Sequence, residues 1–256
     1  MLAISDVHGA FDALRRVIAS GETVLILGDL ANLTDYRTGE GAVASALGID
    51  FARRAAAARG EGDFVEMRRM WREQAAGDSE AVRASIVQMI EAQYDEVATA
   101  LTGGTGYVMH GNVDRPDLLI RALPDSFEYV HGNRVEIEGL TFGFVGGGVS
   151  TPLNAAGEVA DTDMEALLEG IGDVDVLCTH VAPALDPLRI DVVTGRAERS
   201  SVPILRYLEQ HQPRLHLFGD VHQPRASTWR VGHTRCINVG YFRATGRAHR
   251  VSVDQL

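Results

Sequence analysis

Residues 2–30, LAISDVHGAFDALRRVIASGETVLILGDL, decide how the rest of the chain is read. Leu2–Ser5 is a short apolar run that reads as a strand and ends on Asp6-Val7-His8-Gly9. Phe11, Leu14, Val17 and Ile18 then recur at helical spacing. Gly21 ends that helix, and Val24–Leu27 is a second strand that runs into Gly28-Asp29-Leu30. Strand, helix and strand in so few residues form a β-α-β unit, which favours parallel pairing. A parallel sheet presents the carboxyl ends of its strands on one edge, where the loops form a crevice. Both polar tips therefore point to one place.

The pattern recurs three times. Gly111-Asn112-Val113-Asp114 follows Tyr107–Met109, Thr179-His180-Val181 follows Val174–Cys178, and Gly219-Asp220-Val221-His222 follows Leu215–Phe218. Side chains alternate along an extended segment, so Asp6 and His8 are expected on one side, sharing one ion, and Asp220 and His222 repeat the spacing. Either pair alone would read as a solvated strand end with a surface histidine. Five such tips in one chain point instead to a metal centre. Asp, His and Asn form a mixed oxygen and nitrogen donor set suited to Mn²⁺, Fe, Co²⁺ or Zn²⁺. Two cations roughly 3.5–4 Å apart lower the pKa of a bridging water and stabilise charge on both attacking and leaving oxygens. No Cys-x5-Arg loop and no Walker-type Gly-x4-Gly-Lys is present, so covalent-cysteine and nucleoside-triphosphate chemistry lack support.

In order and content these motifs resemble the calcineurin-like metallophosphoesterase superfamily, with its Asp-x-His, Gly-Asp, Gly-Asn-His-Asp/Glu, lone His and Gly-His-x-His. The resemblance runs from Asp6 to His222, and Asn238-Val239-Gly240 is similar to the family's closing Asn-Pro-Gly turn. It implies an α/β fold, a four-layer α-β-β-α sandwich with two mixed sheets. It also implies a first metal held by Asp6, His8, Asp29 and His222, and a second held by Asp29, Asn112, His180 and Asp220. Asp29 bridges the two and, with Asn112, counts as catalytic. The implied reaction is hydrolysis of a phosphomonoester or phosphodiester by in-line attack of a metal-bound hydroxide. Val113 stands where many members carry a catalytic His, which removes the usual proton donor for the leaving group. Asp220 stands in place of the first His of Gly-His-x-His and makes the second site more anionic. Mn²⁺ is thereby the favoured ion, with Fe, Zn²⁺, Co²⁺ and Mg²⁺ as alternatives.

Two rival readings follow from the same residues. A degenerate scaffold of this fold would serve protein interaction, but here every ligand position carries a competent donor. Protein Ser/Thr phosphatases and dinucleotide tetraphosphatases resemble Gly-Asp-x-Val-Asp-Arg-Gly, whereas this chain has Gly28-Asp29-Leu30-Ala31-Asn32.

Between the second and third tips, residues 39–106 form a mostly helical insert. Phe64, Met67 and Trp71 mark one stripe, and a further helix is expected to start near Asp78 or Ser79 and stop at Gly103-Gly104. The insert is read either as crossover helices packed on the sheet, or as a cap over the site or a homodimer contact. Arg134–Ile137 and Leu140–Val145 read as a hairpin through Glu138-Gly139, and Gly146-Gly147-Gly148 as a turn rather than a phosphate cradle. No repeat or linker interrupts residues 1–256, which are read as one domain.

With 256 residues the chain can bury a sizeable core, and 45% hydrophobic and 23% charged residues are ordinary for a globular protein. A net charge of −11 argues against an electrostatic grip on nucleic acid. It leaves a small phosphorylated substrate open, since bound cations reverse the local field. Two cysteines, the lack of a leader and the absence of a long apolar run suggest a cytoplasmic protein without a membrane segment. Among other residues, Asp114 is expected to anchor its loop or hydrogen-bond a ligand rather than bind metal, and Arg115 reads either as a contact to substrate phosphate through a bidentate fork or as a surface arginine. His110, two residues before Asn112, is the one further histidine placed to reach the site. His131, His211, His216, His233 and His249 read as core or surface residues.

Overall fold

The structure, a computed structural model, describes residues 1–34 and 39–252. The opening unit is β1 (Leu2–Ile4), α1 (Phe11–Ile18) and β2 (Val24–Ile26). The two strands pair in parallel with Leu2 opposite Val24 and Ile4 opposite Ile26. After it come the insert helices α2 (Ala42–Leu47), α3 (Ile49–Glu61) and α4 (Phe64–Leu101). The chain then returns through β3 (Gly106–Val108), α5 (Pro116–Ala122) and β4 (Phe127–Tyr129), which extend the same sheet in parallel.

A second sheet begins with the hairpin of β5 (Asn133–Ile137) and β6 (Leu140–Val145). Its two turn residues, Glu138 (φ 52) and Gly139 (φ 78), are both left-handed, the geometry of a two-residue turn that follows the strand twist. The short ladder β7 (Gly148–Val149) and β8 (Glu158–Val159) precedes α6 (Asp161–Ile171) and β9 (Val176–Thr179). The chain continues through α7 (Asp186–Arg189), α8 (Val202–His211), β10 (Leu215–Phe218), β11 (Thr228–Val231) and β12 (Thr234–Asn238). It closes with α9 (Phe242–Thr245) and β13 (His249–Arg250), which pairs antiparallel with β1. The sequence pattern reads as a strand over residues 248–253; β13 falls within it, and Val253 lies outside the described residues.

Two mixed sheets result, in the orders β13-β1-β2-β3-β4 and β11-β12-β10-β9-β6-β5. Their facing sides bury one apolar layer, with Ala3, Leu25, Leu27 and Met109 from the first sheet against Phe142, Phe144, Val176 and Leu217 from the second. Alternate residues on the same strands face outward. Ile4, Ile26 and Val108 pack under α1, α4 and α5, and Leu177, Phe218 and Cys236 pack under α6 and α8. This is the expected four-layer α-β-β-α arrangement. Its consequence for the site is that β1, β2, β9 and β10 all end on one edge.

The insert differs from expectation. No helix begins at 78 or 79. α4 runs unbroken over 38 residues, about 57 Å at the α-helical rise. Its N-cap is Asp63, whose carboxylate accepts the Glu66 N–H at 2.9 Å. Nothing in residues 72–85 removes a backbone donor, and one interior glycine, Gly77, costs only about 1 kcal/mol relative to alanine. The C-terminal half of α4 buries Tyr94, Val97 and Leu101 in the outer core with α1 and α5. The N-terminal half instead carries α3, with the Phe51 and Trp71 rings meeting edge to face at 5.0 Å, and α2 also packs against α4.

Candidate metal centre

The strand tips are turns, not extended segments. Asp6 (φ 59), His8 (φ 41), Asp29 (φ 58) and Asp220 (φ 64) all adopt the left-handed conformation. Each such non-glycine residue costs on the order of 1 kcal/mol or more, and strain of this kind gathers at functional sites. The alternation expected to bring Asp6 and His8 together is therefore replaced by a tight turn, although the two side chains do converge. The same turn geometry separates Asp220 from His222. His222 Nε2 lies 3.5 Å from Asp6 Oδ1, whereas Asp220 Oδ1 lies 3.8 Å from His180 Nε2. Close packing of the tips needs small residues: a Cβ on Gly111 would fall 2.1 Å from Asp29 Oδ1.

Six of the predicted donors gather around Asp29. Asp29 Oδ2 is 3.5 Å from His8 Nε2 and 3.5 Å from His180 Nε2. Asp6 Oδ1 lies 3.8 Å from His8 Nε2. The donor atoms of Asp6, His8 and His222 lie within 4.8 Å of one another, and so do those of Asp6, Asp29 and His180. The Asn112 amide completes the inner face, one end 3.0 Å from His180 Nε2 and 3.1 Å from Asp29 Oδ2, the other 3.1 Å from Arg59 Nη2.

Backbone and neighbouring side chains aim these donors. His180 Nδ1 is 2.8 Å from the Leu27 carbonyl. That nitrogen carries a proton, and Nε2 faces the cluster, the arrangement by which a neighbouring acceptor fixes the ring of a metal-binding histidine. Asp29 Oδ1 accepts the Val113 N–H at 3.0 Å and Asp6 Oδ2 accepts the Asp220 N–H at 3.0 Å. Tyr241 stacks on His222 at 3.8 Å, and Arg243 donates to the His8 carbonyl. In the closing turn, the Asn238 side chain donates to the Val221 carbonyl at 2.9 Å, which holds the Asp220 loop. Tyr241, Arg243 and Arg59 carry no strand-tip motif, so pattern reading had no signal for them.

The donor set fits divalent metal ions. Asp6 Oδ1 and His8 Nε2 are buried without a hydrogen-bond partner among the described residues. Buried acceptors that converge without donors call for a cation. Burial lowers His180 and His222, but the facing carboxylates, Asp29 for the first and Asp6 for the second, outweigh it and raise both rings above the ordinary imidazole value, a positive charge that a bound cation would replace. Burial pushes His8 down, which keeps its ring neutral and able to ligate. Burial also opposes ionisation of Asp29, but His180 and His8 and the Val113 N–H outweigh it and hold the carboxyl well below the usual range. Burial pushes Asp220 up to about 7 against the pull of His180, with the charges of Asp6 and Asp29 adding to the rise.

Two predicted contributors lie elsewhere. Arg115 turns to Asp117, 3.3 Å away in the first turn of α5, and does not line the cavity over the cluster. Its position as N-cap of that helix aims it away from the tips. His110 is buried one layer deeper, with Nδ1 2.7 Å from the Tyr129 hydroxyl and its ring 4.6 Å from that of His131.

Above the cluster opens a cavity of about 950 Å³, large enough for a small molecule. Its floor includes His8, Asp29, Asn112, Asp220 and His222, and its roof includes Ala56, Arg59 and Gly60 of α3. Arg196, from the opposite wall, donates to the Gly60 carbonyl at 3.1 Å and ties the roof down. The insert thus packs on the sheet through α4 and covers the site through α3.

The model of the calcineurin-like phosphoesterase family matches residues 1–224. The fold is similar to that of TT1561 of Thermus thermophilus, with a TM-score of 0.51 and 12% identity over 97% of this chain and 96% of that one. A further crystal structure gives a TM-score of 0.60 and 14% identity over 94% of this chain and 90% of the other. No curated protein matches the sequence.

Proposed function

This chain belongs to the calcineurin-like phosphoesterase family, a family of metal-dependent phosphoric ester hydrolases, and from that premise we propose that its own centre is dinuclear. The ligands are Asp6, His8, Asp29 and His222 for one ion, and Asp29, Asn112, His180 and Asp220 for the other. The position of Asp29 carries this reading: Oδ2 lies 3.5 Å from an imidazole of each set, where one carboxylate can serve both ions and offset their mutual repulsion. Bound there, two divalent ions supply an activated water and positive charge facing the phosphoryl oxygens. The chain's residues do the rest. The Val113 N–H and the Asp114 loop orient Asp29, the α3 roof limits water, and the cavity receives a small phosphorylated substrate.

Mn²⁺ is the favoured ion, since Asp220 makes the second set richer in hard oxygen donors. Residues 1–256 act as one catalytic domain, consistent with β13 near one end of the chain pairing with β1 at the other. No helix among the described residues is long and apolar enough to cross a membrane. Cys178 and Cys236 are buried free thiols, which suits a reducing compartment such as the cytoplasm. A homodimer contact, if the insert makes one, would use the exposed Val65 and Val87 of α4.

The test is a metal-reconstituted activity screen on phosphomonoesters and phosphodiesters, with metal content measured per chain. Wild type should hold two divalent ions and hydrolyse ester. Asp29→Asn should lose metal and nearly all turnover while staying folded. Wild-type metal content and turnover in that variant would overturn the dinuclear assignment.

A further inference from the structure

The segment that follows His180 carries two arginines into the wall of the cavity. Its residues 190–198 are a fixed loop. The Asp191 N–H donates to the Arg196 carbonyl at 3.0 Å, and the Glu198 N–H to the Arg189 carbonyl at 2.8 Å. Inside the loop the Asp191 carboxylate accepts the Val193 and Thr194 N–H groups at 2.8 and 3.0 Å. Gly195 (φ 68) supplies the left-handed bend between them. Arg196 and Arg199 both line the cavity.

Each guanidinium is held by only part of its donor set. Arg196 Nη1 donates to the Gly60 carbonyl of α3 at 3.1 Å. Arg199 lies over the Phe64 ring, with Cζ 5.2 Å from the centroid, and its Nη1 reaches the Ser150 carbonyl at 3.5 Å. A guanidinium carries five donors in a rigid plane, so most on each arginine stay open. Neither makes an ion pair among the described residues. In a chain of net charge −11 carboxylates are plentiful, and Arg15, Arg69, Arg189 and Arg250 each meet one at 2.7–2.8 Å. The carboxylates of the cavity wall are otherwise engaged. Glu158 accepts from Thr151 and Ala155, and Asp191 holds its own loop. Burial and the neighbouring Asp191 push the Glu198 carboxyl up, which makes it a poor counter-charge.

We propose that Arg196 and Arg199 form a second anion subsite, separate from the metal centre, and that the substrate is a small phosphoester whose leaving group carries a further anionic group, a carboxylate or a second phosphate. The cavity of about 950 Å³ holds far more than one phosphoryl group. Ser150, on which Arg199 rests, comes two residues after Gly148, and Gly148 packs on Asn112. Two residues span at most about 7 Å, so the subsite lies within the length of a small molecule from the proposed ligands. Planar guanidinium forks match carboxylate and phosphate alike. This inference deepens the proposed function and rests on it, since the ester must be cleaved at the metal centre.

The test uses three aryl esters with leaving groups of similar basicity: phenyl phosphate, 4-(carboxymethyl)phenyl phosphate and 4-(phosphonomethyl)phenyl phosphate. Metal content and kcat/KM are measured for metal-loaded wild type, Arg199→Gln, Arg199→Lys and Arg196→Gln. Calorimetry gives the affinity of each for phenylphosphonate and its 4-carboxymethyl and 4-phosphonomethyl derivatives. Wild type should prefer at least one doubly anionic ester over phenyl phosphate by about tenfold or more, mainly through KM, in line with hydrogen bonds to charged groups. The arm that is preferred tells carboxylate from phosphate recognition, and the phosphonates should bind in the same order. Arg199→Gln should lose most of that preference with metal content unchanged, and Arg199→Lys should keep part of it. Arg196→Gln should lower it too, but Arg196 also ties the roof, so the Arg199 variants decide. No preference in the wild type, or a wild-type preference retained in Arg199→Gln, would overturn the subsite and leave the phosphoesterase reading standing. A wild type that binds no metal and cleaves none of the three esters would remove that reading and the subsite with it.

Discussion

Asp114 holds Asp29 by its backbone: the Asp114 carboxylate accepts the Asp29 N–H at 2.7 Å, and with it those of Leu30, Ala31 and Gly111 at 2.9–3.2 Å. The Tyr94 hydroxyl of α4 reaches the same carboxylate at 3.4 Å and also accepts the Arg115 N–H at 2.6 Å. One buried side chain thus ties the second and third strand tips together. Asp114→Asn keeps the shape but turns a donor toward backbone donors. Leaving such groups unpaired should cost on the order of 2–3 kcal/mol, read as a lower denaturation midpoint, with metal content falling as Asp29 loses its orientation. A variant with wild-type stability and metal content would show that these contacts are dispensable.

Gly148 lies against Asn112, and a Cβ there would stand 2.1 Å from the Asn112 Cβ. The glycine run is a turn whose last member leaves room for a ligand side chain. Gly148→Ala should displace Asn112 and cost about 1–3 kcal/mol, the usual range for overpacking. Metal analysis should show one of the two ions depleted. Full occupancy together with an unchanged melting temperature would place Asn112 outside the ligand set.

Val113 lines the cavity where relatives of this motif carry histidine, and its side chain cannot donate a proton. General acid help is typically worth about 10²–10⁴-fold. Hydrolysis should therefore slow steeply as the leaving group becomes more basic, with aryl phosphates cleaved far faster than alkyl ones. Val113→His should flatten the dependence if the ring fits. Similar rates for both ester types in the wild type would reveal another donor.

His216 is fully buried on β10, and burial pushes its pKa down to about 3. The Thr179 hydroxyl donates to the Val181 carbonyl, so the 2.8 Å contact with His216 Nε2 is an N–H donated by the ring. Nδ1 is then a buried nitrogen with no partner among the described residues, and a second proton there would be unpaired. Between about pH 6.5 and 3 the unfolded chain binds this proton and the folded chain does not. Stability should accordingly fall as pH drops through that window, by up to about 1.4 kcal/mol per unit for this one group. His216→Gln should show a shallower acid dependence in denaturant titrations. An identical slope would assign the effect to other groups.

Much of the fold was legible because its determinants are local and periodic. The β-α-β opening, the Glu138-Gly139 hairpin and the five glycine-flanked tips each leave a pattern within a few residues. The unbroken α4 was not legible, since Asp78 and Ser79 offer capping chemistry that the flanking helix formers override. Arg115 was misplaced because adjacency to Asp114 in sequence does not set the direction of a helix N-cap. Arg59 was invisible for the opposite reason. It meets Asn112 only through folding of the insert over the sheet, a contact spanning 53 positions.

α4 reads differently when taken as a ruler. Its far end is fixed in the core by Tyr94, Val97 and Leu101, while its near end sets where α3, and with it Arg59, hangs over the cavity. Each residue added to a helix turns everything before it by about 100° and shifts it by about 1.5 Å. One residue gained or lost in the middle of α4 would swing the roof off the site, whereas about seven, close to two full turns, would bring it back to nearly the same azimuth. The length of this insert is therefore quantised in helical turns, a constraint on descent that an ordinary surface loop would not impose.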